Sequence, residues 1–479
     1  MNQINAIFQE VLKEILPRPQ DIKIIKDIIE KLKELLIKKA HNLNISYTII
    51  EPQGSTGIKQ THLRNDFDID LFIGLDYSLY KPKYEGLTKN KLKKVSKREF
   101  LNLCNNWILK ALTTENIIEQ KLLYAEHPYV SCNYIYNNLT IKVDIVLFFD
   151  LDLKFVMENG PITAVDRSPW HGRFVRDRLS TKQKDDVRLL KQFFIANHCY
   201  GDKCAVGKIG FIGYSAELLI YHFKTLIDLF HQFHLLKDKA FDPYNRTMNE
   251  LRNITHFQND TLLIIDPIDK NRNVASAISE RAYNYCNYQV KKFLEKPILE
   301  YFEIKEIEEE NLNSVDNYFI IELFSNNTKI HYTIFRDKLY SLSDSIKANA
   351  EKEFSHADRF GRVEYEVYFE GPNNEYNIVF YCEKPTINRT YIRKGPPMKD
   401  SYHVKKFKAK NPGSFERNGH LWIETKRDYS DFIIFLKDFI KDKIPDGLIL
   451  KNISKAIDTQ SKSAKKAITV LKTMVMPFL

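Results

Sequence analysis

Apolar positions recur at helical spacing from the start of the chain: Ile4, Ile7, Phe8, Val11, Leu12 and Ile15, then, past Pro17–Pro19, Ile24, Ile25, Ile28, Leu32, Leu35 and Leu36. Two amphipathic helices are expected there. The period then changes. Tyr47–Glu51 reads as a strand running straight into Gly54-Ser55, and Phe67–Leu75 and Leu139–Phe149 alternate with period two, as half-buried strands do. Tyr77–Arg98, between them, is rich in Lys and Tyr and reads as a loop and a helix start. Residues 1–150 thus form a small α/β head with a mixed sheet.

Helical spacing returns in Thr181–Phe194, where Val187, Leu190 and Phe194 mark an apolar face and Lys184, Arg188 and Lys191 a basic one. Tyr214–Phe230 is apolar almost all round, which predicts a buried helix in a second, helical unit. Ala275–Leu294 is helical again. Asn317–Phe324 and Lys329–Phe335 read as strands; Val363–Phe369 alternates, turns at Gly371–Asn374 and continues as Tyr376–Cys382. This predicts a third unit of α+β type, closed by helical patterns at Asp431–Lys441 and Ile453–Met476. No internal repeat is visible.

At 479 residues the chain is long enough for about three or four compact units, and a hydrophobic fraction of 43% is enough for sizeable cores. No run approaches the ~20 apolar residues of a membrane span, and the polar N-terminus does not read as a signal peptide. The expectation is a soluble cytoplasmic protein that does not engage membranes. Six cysteines lie scattered without a C-x-x-C, which favours small buried hydrophobes over zinc ligands or disulfides. The net charge is +10, unevenly spread. Tyr381–His420 carries ten Lys/Arg against three acids, and Lys451–Lys472 carries six lysines against Asp458. Such clusters suit a polyphosphate partner, because each neutralised phosphate releases a counterion.

The chemistry concentrates in GSTGIKQTHLRNDFDIDLF, Gly54–Phe72. On a strand, Asp68 and Asp70 are two apart and share a face. Gly54 exposes backbone, and the hydroxyl and N–H of Ser55 can hold a phosphate tail. The second alternating strand sets Asp144 among Ile141, Val143, Ile145 and Val146, where a charge is costly unless paired or metal-bound. Three carboxylates on adjacent strands would hold Mg²⁺ against a triphosphate, the two-metal arrangement of nucleotidyl transfer. A D-x-D alone is common; the Gly-Ser turn and the third acid make the combination specific.

These features resemble a polymerase-β-type nucleotidyltransferase head, and the remainder resembles the archaeal (class I) CCA-adding enzymes, tRNA nucleotidyltransferases. The likeness rests on AVDRSPWHGRFV (164–175), DDVRLLKQFFIANHCYG (185–201), GFIGYSAELLIYHF (210–223), DPIDKNRNVASAIS (266–279) and KGPP with a following His403. The resemblance implies that His171, Lys191 and Tyr200 contact the triphosphate and that Arg272 helps define the incoming base. Structural roles are open to each: a solvated Lys191, a packed Tyr200, a capping His171, and Arg272 paired with Asp266 or Asp269. This sequence also departs from the family pattern. Where an Arg and then Gly-Thr are usual, it has Ile58, Lys59 and Gln60, with one extra residue between Ser55 and Asp68. Lys59 is expected to replace the Arg, with Arg64 as a second candidate.

The implied fold is α+β and multidomain: a catalytic head (1–150), a nucleotide-binding helical neck (151–270), a first part of the body (271–310), a tRNA-binding tail (311–420) and a C-terminal return of the body (421–479). The implied activity is template-free addition and repair of the 3′-terminal CCA of tRNA from CTP and ATP, with Mg²⁺. The catalytic and metal residues are Asp68, Asp70 and Asp144; Ser55, Lys59, His171, Lys191, Tyr200 and Arg272 hold the nucleotide. Partners are the acceptor stem and elbow of tRNA; the oligomeric state is open, with a homodimer as one candidate. The alternatives are an oligoadenylate or cyclic-dinucleotide synthase of the same superfamily, and an inactive RNA-binding protein.

Overall fold

The computed structural model describes residues 2–66, 68–124, 127–312, 315–327, 330–353, 356–370 and 374–479. The chain divides into two compact units. One comprises Met1–Tyr200, Phe211–Ile278 and Cys286–Ile304; the other comprises Gly201–Gly210, Ser279–Tyr285 and Lys305–Leu479.

The first unit opens with helices Asn2–Ile15 and Pro19–Leu43. Its sheet comprises β1 (Ile49–Gln53), β2 (Ile69–Asp76), β3 (Ile117–Tyr124), β4 (Pro128–Tyr136) and β5 (Leu139–Asp150), in the order β1-β2-β5-β4-β3. β2 and β5 run parallel and the other pairings are antiparallel, giving the mixed sheet expected. Period-two alternation sorts β2 and β5 between two apolar layers. Ile69, Leu71, Ile73 and Leu75, with Val143, Ile145, Leu147 and Phe149, enter the main core. Phe72, Val146 and Phe148 form a smaller cluster on the opposite face. The segment read as loop and helix start is two helices, Tyr77–Tyr84 and Lys89–Leu103. Phe100 is fully buried in the main core, and from the turn after the second helix Trp107 donates its indole N–H to Leu36 O at 2.9 Å.

The helices that follow include Ser168–Arg178, Thr181–Ala196, Gly213–Phe223 and Leu226–Gln232. The helix from Thr181 starts at a capping box, in which Ser180 and Gln183 satisfy each other's backbone N–H groups. The single helix predicted over Tyr214–Phe230 is two. Lys224 adopts a left-handed φ of 71°, and Thr225 caps the second helix by accepting from Asp228 N. A two-residue parallel pair, β6 (Ala240–Phe241) with β7 (Leu263–Ile264), precedes helix Glu280–Glu295.

The second unit holds an antiparallel sheet of β8 (Tyr318–Phe324), β9 (Val363–Glu370), β10 (Glu375–Cys382) and a late strand, Ile449–Lys455, at the edge beside β8. Residues 371–373 of the predicted Gly371–Asn374 turn lie outside the described residues. Of the predicted strand Lys329–Phe335, Lys329 lies outside the described residues, and Tyr332–Phe335 instead open helix Tyr332–Glu351. Phe335, Leu339, Leu342 and Ile346 of that helix join the sheet's core, so a 3.6-residue period governs a stretch whose first residues look β-branched. A smaller sheet orders its strands β11 (Thr390–Pro397), β13 (His420–Lys426), β12 (Phe415–Arg417), with helix Ser401–Lys410 beside it. The late strand, β14, begins the segment predicted as one helix over Ile453–Met476; only Lys462–Thr469 is regular α-helix, followed by a wider turn over Val470–Val475.

Candidate active site

The parallel pairing of β2 and β5 places Asp70 directly opposite Asp144. Both side chains line a cavity of ≈ 320 Å³ in the first unit, along with Gly54, Lys59, His171 and Arg272. Gly54 has φ +69°, and a Cβ there would lie 2.2 Å from Asp70 Oδ2, so glycine alone fits at this approach. Asp144 accepts from Ser131 Oγ at 2.6 Å and pairs with Lys142 Nζ at 2.7 Å. Burial, the neighbouring Asp144 and then Asp68 push Asp70 up to about 6. Asp68 itself is exposed and lies one residue ahead of β2, so the predicted same-strand pair is a strand residue and its flank.

Among the described residues, no three His, Cys, Asp or Glu side chains are gathered as a ready-made metal cage. The donors nevertheless fit a hard cation. They are carboxylate oxygens, and the crowding that raises Asp70 is relieved by positive charge.

One wall of the cavity is built around Asp266, which is fully buried. Its Oδ2 lies 2.7 Å from His171 Nε2 and accepts from Arg272 at 2.9 Å, while Oδ1 accepts from the Tyr214 hydroxyl at 3.2 Å. Burial would raise Asp266, but His171 and Arg272 hold it well below the usual carboxylate range. Burial also pulls His171 down to about 4 against the opposing effect of Asp266, so the imidazole is neutral near pH 7. Arg272 therefore has both the ion pair and the cavity face that the sequence left as alternatives.

A second buried carboxylate, Glu217, receives Lys59 Nζ and Thr61 Oγ1, each at 2.7 Å. Burial opposes its ionisation, yet Lys59 and Lys191 hold it below its ordinary value. Lys59 also lies 4.7 Å from the centre of the Tyr214 ring. Lys191 is buried and donates to Thr61 O at 3.0 Å; burial brings it down to about 8. It does not line the cavity, and neither do Ser55 or Tyr200. Ser55 follows Gly54 in the turn, and the Tyr200 hydroxyl and Lys191 Nζ both border Gly213. Arg64 is placed elsewhere: its guanidinium donates to Leu16 O at 2.9 Å and to Lys13 O, at the end of the first helix, so of the two candidates it is Lys59 that faces the cavity.

Sequence reasoning did not assign roles to Glu217 or Tyr214, and it treated Asp266 only as an ion-pair partner. Glu217 had a visible signal, a lone acid in the apolar run GFIGYSAELLIYHF, the same argument that selected Asp144.

Comparisons with known proteins bear on the class of protein that carries this site. Residues 185–303 match the family described as tRNA nucleotidyltransferase, second domain. A CCA-adding enzyme of Methanocaldococcus jannaschii is 29% identical over 473 residues, 94% of each chain. One from Pyrobaculum aerophilum is 30% identical over 303 residues, 63% of each. A solved structure of a cytoplasmic RNA terminal U-transferase aligns with a TM-score of 0.46 at 14% identity over 64% of this chain and 100% of that one, a likeness too low to bear on the assignment. The protein is an enzyme of the nucleotidyltransferase class. Within that class, the relatives it resembles are archaeal CCA-adding enzymes.

Proposed function

We propose that this chain builds and repairs the 3′-terminal CCA of tRNA from CTP and ATP without a nucleic-acid template, with Mg²⁺ held by Asp70, Asp144 and Asp68. Once bound, such a cation neutralises the triphosphate and lowers the pKa of the attacking 3′-hydroxyl. The hydroxyl oxygen forms a bond to the α-phosphorus as the bond to the departing pyrophosphate breaks. Asp144 assists removal of the hydroxyl proton.

Lys59 and Ser55 hold the triphosphate from the Gly54 turn, with Lys191 and Tyr200 behind it. Arg272 meets the base. His171, whose Nε2 faces Asp266, has Nδ1 left for the nucleotide. In this reading the five-part division into head, neck, body, tail and returning body stands. The tail binds the tRNA elbow, the acceptor stem reaches the head, the enzyme is a homodimer, and it works in the cytoplasm.

The observation that carries the proposal is the register pairing of Asp70 with Asp144 at a cavity also lined by Lys59, His171 and Arg272. The test uses purified protein, tRNA lacking its last three nucleotides, and labelled CTP and ATP. Primer-dependent incorporation of two C and one A is expected. Product formed without tRNA would instead indicate an oligoadenylate or cyclic-dinucleotide synthase, and tRNA binding without incorporation a silent RNA-binding protein.

A further inference from the structure

The loop Gly54–His62 carries the groups that the proposed function assigns to the nucleotide's phosphates, yet it contains a residue unsuited to its own backbone. Gln60 has φ +55°, in the left-handed region that side-chain-bearing residues rarely adopt. Something must hold it there. The carbonyls of Gln60, Thr61 and His62 are consecutive acceptors, and all three are met from helix Thr181–Ala196. Arg188 donates through one terminal nitrogen to Gln60 O and through Nε to His62 O at 3.0 Å, while Lys191 reaches Thr61 O. The remaining terminal nitrogen of Arg188 pairs with Asp185 at 2.8 Å. Arg188 is buried, and its planar fork can span the carbonyls of the left-handed Gln60 and of His62, on either side of Thr61; the single ammonium of a lysine cannot do so in the same way.

We infer that Arg188 is a positioning residue for nucleotide binding, clamping the loop from the left-handed Gln60 to His62 so that Lys59 is held toward the cavity. This deepens the proposed function and rests on its reading of the loop. Lys59 is one residue from the clamp, with its ammonium fixed at Glu217. Thr61, in the middle of the clamp, donates its backbone N–H to Ser55 O at 2.9 Å. Releasing the two carbonyls frees the turn on which Ser55 and Lys59 depend, while the carboxylates on β2 and β5 are untouched. The effect therefore falls on nucleotide affinity rather than on the chemical step.

The test is steady-state incorporation of CTP and of ATP into tRNA lacking its terminal nucleotides, with melting temperature measured in parallel. Arg188→Ala is expected to raise KM for both nucleotides about tenfold, with kcat within about twofold of wild type. Gln60→Gly in the Arg188→Ala background removes the backbone penalty and is expected to recover most of the KM without recovering the lost melting temperature. Arg188→Lys, which preserves a buried charge if the alanine variant fails to fold, is expected to fall between wild type and Arg188→Ala. An unchanged KM in Arg188→Ala and Arg188→Lys overturns the inference. So does a KM defect that Gln60→Gly leaves in place while melting temperature and kcat fall together. The wild-type control separates this from the underlying reading: incorporation by wild type that Asp70→Ala abolishes preserves the proposed function whatever the Arg188 variants do, and a wild type that incorporates nothing removes it.

Discussion

Charged residues serve opposite ends in two regions of the molecule, the candidate active site of the first unit and helix Ser401–Lys410 of the second. Around the candidate active site they are buried and already paired: Asp266, Glu217, Lys191 and Arg188 are each less than a tenth exposed, and each has a partner within hydrogen-bond distance. On helix Ser401–Lys410 of the second unit no residue is fully buried, and Lys405, Lys406, Lys408 and Lys410 face solvent or its margin. Buried charges fix geometry, because each removal leaves a partner unsatisfied in a low-dielectric setting. Exposed charges supply attraction that is additive, replaceable and sensitive to salt. A change in the first group should act as a switch, and one in the second as a graded adjustment.

The sharpest way to break that contrast is Asp70→Ala. It is expected to reduce incorporation by at least ~10³-fold while leaving tRNA affinity nearly intact; parallel loss of binding, measured by filter retention, would merge the two roles. Gly54→Ala comes next. A methyl group 2.2 Å from Asp70 Oδ2 must displace the carboxylate or the loop. A loss on the order of 10² in kcat/KM is expected, with folding retained by circular dichroism. An active Gly54→Ala enzyme would mean that the close approach is not needed.

Acidity provides the third test. Asp70 is raised to about 6, so it is ionised above that pH and protonated below it, where proton and cation compete. The cation concentration giving half-maximal activity should therefore rise roughly tenfold per pH unit below about 6 and level off above it. A flat dependence between pH 5 and 7 would show that Asp70 does not hold the cation. The smallest effect is expected from Lys405→Ala or Lys406→Ala: a tRNA Kd raised about two- to fivefold, unchanged kcat, and a salt slope lowered by ~1 for each phosphate no longer neutralised. A large kcat defect there would contradict the division between the units.

Much of the head was legible because period-two alternation in β2 and β5 is a strong local signal, and a lone Asp144 in an apolar strand shows its own cost. Which strands pair, and in which register, depends on residues ~75 apart in sequence and has no local trace. The full surroundings of Asp266 escaped for the same reason: its donors come from Ile268 and Arg272 nearby and from His171 and Tyr214 far away in the chain. At Lys224, a largely apolar run concealed a helix break that the Thr225–Asp228 capping pair could have revealed. Segment Lys329–Phe335 was too short for its period to be distinguished from that of the helix it enters.

The order of loop and strand around Asp70 also bears on how this site tolerates length changes. A residue added or removed between Leu63 and Asp66 falls in a turn closed by the Leu63–Asp66 bridge, beyond the stretch that Arg188 and Lys191 hold. The same insertion or deletion one step later, within Ile69–Asp76, would exchange the two faces of the strand, driving the acid into the main core and expelling leucines from it. Lineages carrying this architecture should therefore accumulate indels upstream of the strand and almost none within it.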